Sequence, residues 1–259
     1  MNRDITRQIV NVVALVAALV VNFLATALPL NGQTSAEIAN RVPILFVPAN
    51  YVFGIWGLIY TLLIAFGIYQ ALPSQRENPR LRRIGYWFAV SCVANLTWLF
   101  LFHYEQFPLS MIAMIVLLVA LIVVYIRLEI GREKLNTAGT WLTHIPFSVY
   151  LGWITVATVA NASYVLYTAN WDGFGISGEV WTVIMLVVAA GITVTMIVTR
   201  RDIAYTAVIV WALMGIFVKQ AAIPVVAATA GVMVGLVLVA LVAALWLNRG
   251  NKAIRATSK

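Results

Sequence analysis

The sequence predicts an all-α protein, a polytopic transmembrane helix bundle of eight spans. Three observations predict it: a composition that water cannot solvate, apolar runs of crossing length, and a one-sided placement of basic residues. Of 259 residues, 63% are hydrophobic and 10% charged, and the mean hydropathy is +0.94. A soluble domain of that composition would leave far too much apolar surface against water, so the membrane is the solvent. The apolar runs fall roughly at residues 9 to 30, 48 to 72, 84 to 103, 109 to 127, 141 to 168, 180 to 199, 203 to 218 and 222 to 247. A hydrocarbon core of about 30 Å takes about 20 helical residues to cross, and shorter runs suffice when packed against neighbours.

Taken in order, these spans put fifteen of the seventeen lysines and arginines on one side. Arg3 and Arg7 precede the first span; Arg76, Arg80, Arg82 and Arg83 separate the second from the third; Arg127, Arg132 and Lys134 separate the fourth from the fifth. Arg200 and Arg201 follow the sixth, and Arg249, Lys252, Arg255 and Lys259 form a basic tail after the eighth. Only Arg41 and Lys219 fall opposite, and an odd number of spans would scramble the pattern. Basic loops resist translocation, so both termini are expected in the cytoplasm, with the plasma membrane as host. The net charge of +8 then reads as topology and as affinity for anionic lipid of the bilayer. No basic domain exists to hold nucleic acid. The first span carries a cleavage-like Ala25-Thr26-Ala27, but its apolar stretch outruns the about 7 to 15 residues of a signal core and is expected to be retained.

The loops are short, so function must sit in the bundle or on its rims. Cys92 is the single cysteine, which excludes an intramolecular disulfide. His103 and His144 lie at opposite ends of their spans with no cysteine or carboxylate at ligand spacing, so no metal site is expected. No phosphate-binding glycine loop, Ser-His-Asp series or paired carboxylates occur. Lys219, beside Gln220, reads as a rim lysine, and Glu105 and Glu179 border the outer face as solvated charges or gates.

Inside the spans, aromatic rings and amides share faces. The second span opens on Pro48-Ala-Asn-Tyr51-Val-Phe53-Gly-Ile-Trp56-Gly-Leu-Ile-Tyr60, where spacings of three and four stack Phe53, Trp56 and Tyr60. Tyr51 sits where an interface belt would hold it, while Trp56 and Tyr60 lie one to two turns deeper. An unpaired amide in hydrocarbon is costly, so Asn22, Asn95 and Asn161 must face protein or a cavity. In the third span Asn95, Trp98 and Phe102 align, and in the fifth Trp153, Ala157, Asn161 and Tyr164 align. Interhelical glue explains each amide taken singly. Together the faces suit an aromatic pocket with a few polar handles for a planar hydrophobic small molecule.

The runs PANYVFGIWGLIY from Pro48, NLTWLFLF from Asn95 and GWITVATVAN ending at Asn161 resemble, in order and spacing, the TspO/MBR family of translocator or tryptophan-rich sensory proteins. The resemblance covers spans one to five and implies a five-helix bundle over residues 1–170, followed by three further spans and the basic tail over 171–259. It implies porphyrin or haem as ligand with no required cofactor, sterols in some members, and a homodimer. Tyr51, Phe53, Trp56 and Tyr60 would line the second-helix side, Asn95 and Trp98 the third-helix wall, and Trp153, Ala157 and Asn161 the fifth. Gln33 to Val47 would be the lid. The expected role is sensor or translocator, with a secondary transporter or a porphyrin-degrading enzyme as alternatives. The first loop lacks the family's Trp-Tyr pair, and Ala162 stands where some members carry a ring after the fifth-helix polar residue, which weakens the enzymatic reading.

The last three spans also echo earlier ones. Phe53-Gly-Ile-x-Gly57-x-x-Tyr60-Thr61 is matched by Phe174-Gly-Ile-x-Gly178-x-x-Trp181-Thr182, which would make spans one to four and five to eight two parallel four-helix repeats. In the last span Ala227, Gly231 and Gly235 form a small-residue packing seam.

Overall fold

Eight long helices follow the apolar runs: α1 (Arg3–Ala27), α2 (Ile55–Ala71), α3 (Trp87–His103), α4 (Phe107–Arg127), α5 (Ile145–Thr168), α6 (Gly178–Arg200), α7 (Ile203–Lys219) and α8 (Pro224–Thr257). The structure is a computed structural model that describes residues 3–28 and 30–257, with side chains to residue 247. The side chains of Arg249, Lys252, Arg255 and Lys259, counted above on the basic side, lie outside the described residues. Six spans are long and apolar enough to cross a membrane, α2 counted with the turn before it as Asn50–Ala71 and α5 as Thr137–Thr168, and α3 and α7 are shorter apolar helices of 17 residues. In hydrocarbon each backbone N–H and C=O must bond within the chain, which is why the apolar runs close into helices.

The boundaries have local causes. The third span begins at Trp87 rather than at 84 because Gly85, at φ 61°, breaks it from a short helix over Pro79–Ile84. Between α6 and α7 the chain turns within two residues. Arg201 takes the left-handed conformation at φ 54°, and the Asp202 carboxylate caps α7 by accepting the Tyr205 N–H at 3.0 Å. The fifth apolar run includes a π-helical turn, Thr140–His144, ahead of α5.

Helix contacts close a ring in the order α1, α2, α5, α4, α3. Outside it, α7 packs on α5, and α6 and α8 pack on α7 and on each other. In the described contacts α6 leans on α7 and α8, whereas α2 leans on α1 and α5, so the echoed segments sit in different surroundings. Toward the basic end of the ring the buried Phe66, Phe88 and Phe147 of α2, α3 and α5 meet edge-on at 4.8 to 5.7 Å.

The basic loops gather at one end. Arg82 grips Asp4 through two bonds of 3.0 and 2.6 Å, Arg83 pairs with Glu129 at 3.1 Å, and Arg80 Nε donates to Glu133 at 2.9 Å. At the same end Asp202 accepts the Tyr125 and Ser148 hydroxyls at 2.8 and 2.6 Å, tying α7 to α4 and α5. The opposite end carries Arg41, paired with Glu105 at 2.8 Å.

The Arg80 guanidinium holds the Glu133 carboxyl below its ordinary value of 4.5. A depressed folded pKa contributes stability that is complete above the unfolded value and is lost as pH falls through the folded one. The melting temperature of the detergent-solubilised protein is therefore expected to fall below pH 4.5, with Glu133→Gln removing a small part of that slope. The part is small because this partly exposed pair is worth at most about 1 kcal/mol.

Candidate functional site

At the end opposite the basic loops, the ring encloses a cavity of about 60 Å³. It lies between α2, α3 and α5, under the loop that joins α1 to α2. Its walls are rings: Phe53 and Trp56 from the α2 side, Trp98 and Phe102 from α3, and Trp153 and Tyr164 from α5. Trp153 meets Phe53 and Trp56 in T-shaped contacts at 5.8 and 6.2 Å, and Trp98 stacks on Phe102 at 5.2 Å. Edge-on and offset contacts of this kind suit the ring quadrupole and hold the walls in fixed orientations.

The amides divide the polar work. Asn161 accepts the Trp98 indole N–H at 3.2 Å, and its own NH₂ reaches Ser110 Oγ at 3.4 Å. One amide thus joins α3, α4 and α5 at the cavity wall. Deeper, Asn22 donates to Asn95 Oδ1 at 2.8 Å, which leaves Asn95 Nδ2 buried with no partner. Trp153 Nε1 is a second buried donor without a partner, and it belongs to a ring on the cavity surface. An orphaned indole N–H on a wall this apolar is a place where an acceptor would bind well.

Six of the nine residues expected at the site line the cavity: Phe53, Trp56, Trp98, Trp153, Ala157 and Asn161. Tyr51, Tyr60 and Asn95 do not. Tyr51 is half exposed and meets Trp211 of α7 edge-on at 5.3 Å, because residues Asn50–Gly54 form a 3-10 turn whose wider step per residue points it away from the face of Trp56. Tyr60 stacks beneath Trp56 at 5.4 Å, one turn below the cavity floor. Asn95 lies on the inner face of α3 but is taken up by Asn22. Ser110 and Tyr150 are additions that helical spacing does not reveal, since their partners stand on other helices.

The lid is the loop over Gln33 to Val47. A short helix, Ser35–Asn40, starts on a capping box in which Thr34 and Glu37 bond each other's backbone and side chain. The Thr34 backbone N–H, at 2.7 Å, holds the Glu37 carboxyl below its usual range. Ile38, Phe46 and Val47 are fully buried and anchor the lid, while Ser35, Ala39, Ile44 and Val47 form the cavity roof. Phe46 is its only aromatic ring, so the roof is aliphatic where the walls are aromatic. On the α3 side Arg41 pairs with Glu105, Asn31 donates to the His103 carbonyl at 3.1 Å, and Ser35 Oγ stands 3.5 Å from His103 Nε2. His144 bonds the Leu128 carbonyl at the basic end, and no group of three metal-ligating side chains occurs among the described residues.

Replacing Asn161 by Leu leaves the buried Trp98 N–H without an acceptor, so thermal melts in detergent should show a loss of about 1 to 3 kcal/mol. Adding Trp98→Phe removes the stranded donor, and a double-mutant cycle should return part of that loss.

Neither the curated proteins nor the solved structures contain a match to this chain. The sequence pattern of the TSPO-like protein family, in contrast, matches residues 8–243, from the first turns of α1 to late in α8. The match includes the aromatic walls, the lid and all three helices outside the ring, and the chain belongs to the TSPO-like family.

Proposed function

We propose that this protein binds a planar hydrophobic ligand in the cavity beneath the lid and acts as a sensor or translocator for it. The observation that carries the proposal is an aromatic-walled hollow whose Trp153 N–H, fully buried, has no partner. Flat rings on three walls favour a flat guest, and the stranded donor favours one with a hydrogen-bond acceptor at its edge. A tetrapyrrole such as protoporphyrin or haem has both properties, and a sterol is the apolar comparator. At about 60 Å³ the cavity is well below the about 300 Å³ at which small-molecule pockets begin, so binding requires the lid to lift.

Between the cavity and the basic end lie the Trp56–Tyr60 stack and the Phe66, Phe88 and Phe147 cluster. That plug favours exchange at the lid end over passage through the bundle, and it weighs against the secondary-transporter alternative. Titration of the purified protein with protoporphyrin should give saturable quenching of tryptophan fluorescence. Trp56→Leu and Trp98→Leu should each weaken it about tenfold, the equivalent of one lost ring contact. A flat response to both protoporphyrin and cholesterol would sink the proposal.

The same reading places both termini in the cytoplasm, with the basic end of the bundle, and takes the protein as a homodimer of the plasma membrane. With Cys92→Ala as background, a cysteine at Arg132 should react with an impermeant maleimide only after cells are opened. One at Gln106 should react in intact cells, and the reverse order would refute the orientation. Light scattering of the detergent-solubilised protein should give twice the 28.5 kDa of one chain.

A further inference from the structure

The lid is held on its other side by a helix outside the ring. The Ala49 N–H donates to the Gly215 carbonyl at 3.1 Å, and the Gln220 side-chain NH₂ donates to the Leu45 carbonyl at 2.9 Å. Lys219 bonds the Asn40 side-chain oxygen at the end of the lid helix. Trp211 meets the Tyr51 ring and sends its indole N–H to the Val52 carbonyl at 3.4 Å. On α7, Trp211, Gly215 and Lys219 recur every four residues, so they form one stripe, with Gln220 beside it. The stripe runs the length of the chain segment that roofs the cavity and leads into α2.

Two physical facts make this stripe more than a packing contact. The roof from Val42 to Ala49 is irregular and partly buried, and beyond the Ile44 N–H to Val42 carbonyl bond its backbone groups need partners from outside it. Gly215 and Gln220 supply two of them. Gly215 also permits the approach: a Cβ there would stand 2.3 Å from Val52 Cγ2 and 2.9 Å from Pro48 Cβ. The bonds are of a releasable kind. Lys219 has no carboxylate partner among the described residues and grips a neutral amide instead. Arg41 and Lys219, the two cations at this end, thus hold the lid from opposite sides, one on a carboxylate of the α3–α4 turn and one from α7.

We propose that Gly215, Lys219 and Gln220 of α7 are positioning residues that set how far the lid opens, and hence the size of ligand the cavity admits. The clamp itself stands on the lid's geometry; only its consequence for ligand size rests on the cavity reading above. Releasing the α7 side leaves the lid hinged on Arg41 and Asn31, free to swing from the edge nearest Leu45 and Ala49. Strengthening it would keep the roof down on a cavity too small for a macrocycle.

The test reads lid opening without a ligand. In a Cys92→Ala background, Val47→Cys places a thiol on the buried inner face of the lid, and its rate of reaction with a polar maleimide measures opening. The double variant Lys219→Met with Gln220→Ala should raise that rate about tenfold or more, as loss of two hydrogen bonds to a locally opening segment would. Gly215→Ala, which wedges α7 from Pro48 and Val52, should raise it as well. An unchanged rate in both variants overturns the proposal. So does a matched rise in the reactivity of native Cys92 when the same α7 substitutions are made in the otherwise unaltered chain, since that thiol is buried in α3 and reports loosening of the whole bundle. Protoporphyrin association in the same variants should quicken in step with labelling. Faster labelling with no porphyrin bound would keep the clamp and remove the tetrapyrrole reading.

Discussion

The structure depends on α5 being covered on two sides. Half of its crossing segment is buried, against 28% for α1 and α8, which face outward over most of their surface. One face closes the five-helix ring against α2 and α4 and carries Trp153, Ala157 and Asn161 to the cavity. Another face receives α7, with the Tyr205 hydroxyl bonding Thr155 and Asp202 bonding Ser148. A helix so enclosed has little freedom to rotate. The aromatic walls that α5 contributes therefore keep their orientation.

Buried polar groups without a partner occur at both ends of the ring. Near the basic end Asp202 accepts from two hydroxyls and a backbone N–H, while Arg7 Nε, Arg76 Nε and Asn11 Oδ1 are buried with no partner. Around the cavity Asn161 is fully engaged, but Trp153 Nε1 and Asn95 Nδ2 are not. A buried donor without a partner costs about 1 to 3 kcal/mol, and such groups persist where they serve a purpose other than stability. Trp153 Nε1 differs from the others in lying on a cavity wall, where a guest's acceptor can reach it.

Much of this was readable from residues alone. Composition and run length located the eight helices, and the three- and four-residue spacings put Trp98 beside Asn161's cavity and Trp153 with Ala157 on one wall. Tyr51, assigned to the second-helix wall by the resemblance, stands half exposed against Trp211, as its interface-belt position allowed. Asn95 faced inward as its cost in hydrocarbon demanded, but spacing could not show that Asn22 would claim it. The grip of α7 on the lid was not legible at all. Its bonds join positions 159 to 179 residues apart, and several run to backbone atoms that carry no residue signature.

That last feature bears on why a five-helix cavity is accompanied by three more helices. Irregular backbone near a bilayer survives only where protein supplies the bonds that lipid cannot. The segment from Val42 to Ala49 is such backbone, and the α3 side of the ring bonds the residues ahead of it, Arg41 through Glu105 and Asn31 through the His103 carbonyl. The other side is met by α7, whose own position is fixed by α6 and α8 packed against it and by Asp202 at its far end. A lone seventh helix would have nothing behind it to resist the lid's pull. The three helices act as one buttress, with the functional contact made by a single stripe of α7 and its stiffness supplied by the other two.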